Sequence, residues 1–380
     1  MNESEEPASF DKTELQLEES KIDEIYSLVS QQFPILDYYM EHGTLTFHVQ
    51  TDENSKEAFL KLYRSLKPTG FLPILRREGE KEVIRIVKKP PVKKSNIIIN
   101  LVLFLATLAT TFFTGYFISG NREGLDPIFG GLTFMVTIMA ILGIHEMAHK
   151  VMANKHGIEA TPPYFIPSPP QLGIGTFGAV IMQKSPPPNS DALFDVGASG
   201  PIAGFIISVI AILIGLPFST YDWIPRNAPT LPEPIFLMLL RLTTGSYFLP
   251  PSNNLPPRPG PDYVLAILLH PVAYAGWIGI VVTMLNLLPV GTLDGGHIIE
   301  SIFKGKARSM FLITSIVLLL FTEFWAMIFF VLLFGLYRHP GPLDKVSSLS
   351  TGRKLLALGI LLIFILSMPC LLYTSDAADE

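Results

Sequence analysis

His145, Glu146 and His149 stand in the stretch ILGIHEMAHK, the polar end of a long apolar run. Four residues advance an α-helix by about 400°, so the two imidazoles lie on one face, a turn apart, with Glu146 beside them. This is an H-E-x-x-H arrangement, and its chemistry is that of a zinc hydrolase. Two imidazoles grip one ion, a third protein ligand and a water complete a tetrahedron, and the carboxylate takes the water's proton. The ordinary alternative is a buried histidine pair satisfied by its neighbours. Ionisable groups within a membrane span cost about 3 kcal/mol each and persist mainly where they serve a site or line a wet cavity, which favours the metal reading.

A third ligand is offered by TMLNLLPVGTLDGGHIIE, at the end of a later apolar run, where Asp294 precedes Gly295, Gly296 and His297. Glycines there permit the close backbone approach that a break in a membrane helix needs, and Pro289 and Gly291 interrupt the helix just before it. The competing reading of Leu-Asp-Gly-Gly is a plain loop turn. Asn286, upstream, carries an amide able to bond a substrate backbone or polarise a carbonyl. His297 reads as a group that orients the loop, and His270 as packing at the start of a span. His156 and His339 fall in loops with no case for chemistry, and Asp195 and Ser199 read as a helix start. His42 and His48 have no second ligand at metal spacing.

These residues need elements to position them. The chain has 380 residues, 49% hydrophobic, with a net charge of −5 and positive mean hydropathy, which marks a membrane protein rather than a soluble globular one. The charge balance gives no reason to expect nucleic acid as a partner. Cys370 is the single cysteine, so an internal disulfide framework and a thiolate zinc site are both excluded. The start, MNESEEPASFDKTELQLEESK, has no apolar core and is not expected to be a cleaved signal peptide.

The expected fold is a polytopic α-helical membrane protein of about six transmembrane helices with a small N-terminal soluble α+β domain. Residues 1–20 read as a disordered acidic tail and 21–95 as the soluble domain with its basic linker KKPPVKKS. Within that domain KIDEIYSLVSQQF and SKEAFLKLYRSLK have helical spacing, while TLTFHV, GFLPIL and EVIRIV read as strands. Spans are expected near 96–119, 127–153, 194–217, 263–290, 309–337 and 353–372, with 232–249 interfacial. Lys88, Lys89, Lys93 and Lys94 ahead of the first span place the soluble domain in the cytoplasm of a multi-pass protein of the cell membrane. Six crossings leave the basic loop from Arg338 to Lys354 on the opposite side, against the charge rule. The last eleven residues, CLLYTSDAADE, read as a non-native tail at 370–380.

HEMAH on one span, with NLLPVGTLDGGH on a later one, resembles the site-two protease family of intramembrane zinc metalloproteases, whose hallmark pairs H-E-x-x-H with N-x-x-P-x-x-x-L-D-G. FDVGASGPIAG is similar to a glycine-rich helix start of that family, and the likeness covers roughly residues 96–369. It is nearest to archaeal, cyanobacterial and plastid members with an extra N-terminal soluble domain. The resemblance implies Zn2+ ligated by His145, His149 and Asp294, Glu146 as catalytic acid and base, and Asn286 positioning substrate. The implied activity is hydrolysis of peptide bonds within or near transmembrane segments of membrane proteins, as in regulated intramembrane proteolysis, with the lipid bilayer and transmembrane proteins as partners. The proline-rich stretch between Thr161 and Asn189 is then expected to form a re-entrant hairpin or short sheet beside the active site, with an edge that holds unfolded substrate. Readings from other classes are a membrane zinc transporter, for which successive metal sites and a histidine-rich loop are lacking, and a non-catalytic metal-binding scaffold, against which Glu146 argues.

Overall fold

The structure is a computed structural model and describes residues 19–369 apart from 42, 53–54, 92–95, 121, 123, 229, 245–256, 305–307, 321–327, 330 and 333–340. The acidic tail before residue 19, the tail from 370 onward, His42, His339 and parts of the 309–337 stretch lie outside the described residues. The chain divides into two compact units, one comprising residues up to Pro91 with Leu343–Ser347 and the other the remainder.

In the first unit, α1 (Glu19–Ser30) and α2 (Ser55–Leu66) accompany a four-stranded antiparallel sheet of β1 (Ile35–Glu41), β2 (Thr44–Val49), β3 (Phe71–Glu78) and β4 (Lys81–Lys88), in spatial order β1-β2-β4-β3. Ile25, Val29 and Phe33 follow one stripe of α1 and its exit, and Phe59, Leu62 and Leu66 one stripe of α2. Both stripes are buried in one core with Leu45, Phe47, Leu75 and Ile84 of the strands, which is how amphipathic helices close over a one-faced sheet. β1 was not foreseen from the sequence. As an edge strand it leaves Leu36, Tyr38 and Met40 exposed, so alternation does not separate an apolar from a polar face. The other edge is completed from far along the chain: Leu343 O accepts from Leu75 N at 3.0 Å, and Lys345 N donates to Leu75 O at 3.2 Å. Leu343 enters the core and is 5% exposed.

The second unit begins with α3 (Ile97–Gly120) and α4 (Pro127–Lys155). α4 starts sharply because the Asp126 carboxylate accepts from the N–H groups of Ile128 and Phe129 at 2.7 and 3.0 Å and Pro127 has no N–H to satisfy. A hairpin of β5 (Tyr164–Pro167) and β6 (Thr176–Val180) follows, then α5 (Ser190–Gly215), capped by Asn189. The further elements with described bounds are β7 (Thr220–Pro225), α6 (Ile235–Thr244), β8 (Tyr263–Leu268), α7 (Pro271–Leu287), α8 (Asp294–Phe303), α9 (Arg308–Leu320) and α10 (Thr351–Ser367). α5 is central and packs on α4, α7, α8 and α10. Phe134, Ile138 and Leu142 of α4 are buried against Ala275, Trp277 and Ile278 of α7, while Ile97, Leu101 and Leu105 of α3 stay exposed, as lipid-facing residues would.

Among the described residues three helices, Ile97–Gly120, Pro127–Lys155 and Ser190–Phe218, are long and apolar enough to cross a membrane. The fourth expected span is not one helix. Tyr263–Leu268 pairs with Thr220–Pro225 as a strand, and the helix begins only at Pro271 and runs 17 residues. A continuous apolar run does not distinguish a buried strand from a helix by periodicity, and the His-Pro pair at 270–271 marks where one gives way to the other. His270 itself caps α7, its Nδ1 accepting from Val272 N at 3.3 Å. Among its described residues, the 232–249 stretch holds the ten-residue α6, too short to span.

Leu343→Asp would bury a charge in the core of the first unit. Amide exchange at Leu75, followed by mass spectrometry on the full chain, should accelerate by about tenfold or more. Unchanged protection there would show that the returning segment contributes nothing to the sheet.

Candidate metal centre

α4 delivers His145 and His149 from one face, buried at 4% and 5% exposure, with Glu146 between them at 7%. Their Nε2 atoms lie 3.1 Å apart, and Asp294 Oδ2 lies 3.3 Å from each. A tetrahedral zinc ion with bonds of about 2.0–2.1 Å holds neighbouring donors about 3.3 Å apart, so this triangle has the size of one face of such a site. Two imidazole nitrogens and one carboxylate oxygen are also the donor set of catalytic sites that keep a fourth position open. His149 is oriented for it. Its Nδ1 donates to Val196 O at 2.6 Å, which fixes the tautomer that leaves the Nε2 lone pair toward Asp294. Glu146 Oε1 stands 3.9 Å from His145 Nε2, beside the triangle rather than within it.

Asp294 arrives by way of a break. α7 ends at Leu287, Leu288 turns to φ −55°, ψ 132°, and α8 starts at Asp294. The first turn of α8 folds back on that break so closely that a Cβ at Gly295 would stand 2.2 Å from Leu287 O. Only glycine fits. Asn286, in the last turn of α7, brings its amide Nδ2 to 3.4 Å from His145 Nε2. The opposite wall is α5, where a Cβ at Gly200 would come within 2.0 Å of His149 Nε2. The hairpin also reaches the site: the backbone of Ile181, just beyond β6, lies within hydrogen-bonding reach of the Glu146 carboxylate.

The structure therefore brings His145, Glu146, His149, Asp294 and Asn286 into one place. His297 is on α8 with its Cβ facing Gly197 of α5, and the described donor triad does not include it. His270 is remote in role, as a helix cap.

The sequence pattern of peptidase family M50 matches residues 133–322, half of the 380-residue chain and the stretch that holds all five residues. The chain belongs to peptidase family M50. Its similarity to named members is moderate. It is 31% identical over 258 residues to the probable zinc metalloprotease EGY2, chloroplastic, of Arabidopsis thaliana, covering 66% of this chain and 43% of that protein. It is 29% identical over 307 residues to the probable zinc metalloprotease EGY1, chloroplastic, of the same plant, covering 72% and 53%. A third relative, the probable zinc metallopeptidase EGY3, chloroplastic, of Arabidopsis thaliana, is 29% identical over 235 residues. The chain spans about half the length of the curated relatives it matches. No solved structure matches it.

Two features of this M50 centre had no role in the sequence reading. The Val196 carbonyl was invisible because backbone atoms carry no signature. His156 and Asp195, set aside as a loop residue and a helix start, form a pair at 2.8 Å across the α4–α5 contact. The available signal was spacing, since His156 follows His149 by seven residues, two helical turns on the same face.

Gly200→Ala should push the His149 ring from its place and weaken zinc binding by about tenfold or more, measured by competition with a chromophoric chelator. Binding at wild-type strength would mean that α5 does not set the ring's position.

Proposed function

We propose that this M50 chain is an intramembrane zinc metalloendopeptidase that hydrolyses peptide bonds within or near the transmembrane segments of membrane proteins. The observation that carries the reading is the triangle of His145, His149 and Asp294 donor atoms, held among apolar helices with Glu146 at its side. The relatives' names, probable zinc metalloprotease for two and probable zinc metallopeptidase for the third, support it.

His145, His149 and Asp294 would hold the ion, and bound zinc supplies Lewis-acid polarisation of the scissile carbonyl and makes water more acidic. Glu146 takes a proton from the attacking water and delivers it to the amine nitrogen as the C–N bond breaks. The Asp294 carboxylate offsets part of the cationic charge within the low-dielectric bundle. The Asn286 amide, beside His145, binds the substrate backbone near the reacting carbonyl.

A transmembrane substrate has each peptide group tied into its helical ladder, so it must be locally unwound before attack. The β5–β6 hairpin offers replacement hydrogen bonds by strand addition, and Phe177, Val180 and Met182 expose apolar side chains next to the segment that meets Glu146. The protein is a multi-pass membrane protein of about six spans, and the lysines ahead of α3 support a cytoplasmic N-terminal unit. The packing of Leu343–Ser347 within that unit supports placing the basic loop before α10 on the same side, which satisfies the charge rule. Same-side placement requires an even number of crossings between Val92 and Pro342, so with α10 the total is odd, five or seven in place of six.

The test is cleavage of labelled single-span peptides by the purified protein in liposomes. Glu146→Gln should lower cleavage by about a thousandfold while retaining zinc, Asp294→Ala should lose both, and a chelator should abolish cleavage in the wild type. Full activity in Glu146→Gln would refute the assignment, and zinc crossing the liposome membrane without any cleavage would favour a transporter.

A further inference from the structure

The start of α5 carries two carboxylates, Asp191 and Asp195, four residues apart on one face. Like charges at that spacing repel, although the helix N-terminus favours each. Arg353, in the first turn of α10, joins them. Its Nε and Nη2 donate to Asp195 Oδ1 and Oδ2 at 2.7 and 2.5 Å, and its Nη1 donates to Asp191 Oδ2 at 3.0 Å and to Ser350 Oγ at 2.9 Å. Ser350 N donates to Asp191 Oδ1 at 3.0 Å. Among the described residues Asp195 also meets His156, the cap just past α4, with Nε2 at 2.8 Å from Oδ2.

The next residue after Asp195 is Val196, whose carbonyl takes the Nδ1 proton of His149. The α4–α5 contact is therefore pinned twice on the same face of α4, by His149 on Val196 O and, two turns on, by His156 on Asp195. Because Asp195 and Val196 are consecutive, the planar fork that fixes one also fixes the other. We propose that Arg353 is a positioning residue for the metal centre: by clamping Asp191 and Asp195 it sets the register of α5 on α4, and so the orientation of the His149 ring.

A guanidinium is suited to this and an ammonium is not, since only the fork engages one carboxylate with two bonds and a second with a third. The proposal rests on the metal reading above.

The experiment titrates the full-length protein in detergent with cobalt(II) and zinc, recording the cobalt d–d absorption, which reports donor geometry, and the dissociation constant of each ion. Arg353→Met should weaken both ions by about tenfold and change the cobalt band, and Arg353→Lys should recover only part of either. Asp195→Asn combined with Arg353→Met should weaken binding by less than the product of the two single effects, because the two residues share one ion pair. A purely structural clamp would lower the thermal midpoint yet leave the cobalt spectrum and both affinities of the folded protein at wild-type values, and that result would overturn the proposal. Should Arg353→Met fail to fold, Asp191→Asn with Asp195→Asn breaks the same ion pairs from the carboxylate side with isosteric groups and is read in the same way. A wild type that binds neither ion would instead overturn the metal reading itself, whatever Arg353 does.

Discussion

Two imidazoles and a carboxylate stand within 3.3 Å of one another inside a bundle of apolar helices, and much of the second unit is arranged around that fact. Each group loses hydration when buried, and an ionised carboxylate is the most costly of the three to isolate. Opposed polar donors and a shared cation are what make such burial tolerable. α4 supplies the imidazoles at helical spacing, α5 supplies the carbonyl that orients one of them, and the α7–α8 break supplies the carboxylate.

The break illustrates how an apolar bundle limits the solutions. Backbone polar groups released from a helix within hydrocarbon must find partners inside the protein. Between α7 and α8 they do: Leu288 N donates to Leu285 O at 3.3 Å, Val290 N to Leu288 O at 2.7 Å and Leu293 N to Val290 O at 2.9 Å. The chain turns tightly enough for Gly295 to lie on the carbonyl of Leu287, and Asp294 is left at a helix start that points at the imidazoles.

Legibility differed between the two units for reasons that can be traced to particular residues. Strands such as Thr44–Val49 were readable because Leu45, Phe47 and Val49 alternate toward one core. Ile35–Glu41 was not, being an edge strand exposed along most of its length. The return of Leu343–Ser347 to the first unit could not be read at all, since a separation of more than two hundred and fifty residues leaves no local pattern. Among the apolar segments, hydropathy located α3, α4 and α5 closely but merged β8 with α7, because it measures transfer from water and is indifferent to which hydrogen-bonded conformation makes the transfer possible.

At the candidate site the sequence by itself determined the chemistry available. H-E-x-x-H fixes two imidazoles on one helix face through the 3.6-residue repeat, and Asp-Gly-Gly after Pro289 marks a carboxylate beside a helix break. The tertiary structure decided that these two stretches meet, that His149 turns on the carbonyl of Val196, and that His156 and Arg353, unremarkable in the sequence, converge on Asp195. Periodicity and glycine placement are local properties that residue types encode directly. Which helix lies against which depends on the packing of whole surfaces, as at Gly200 under His149, and exists only once the chain has folded.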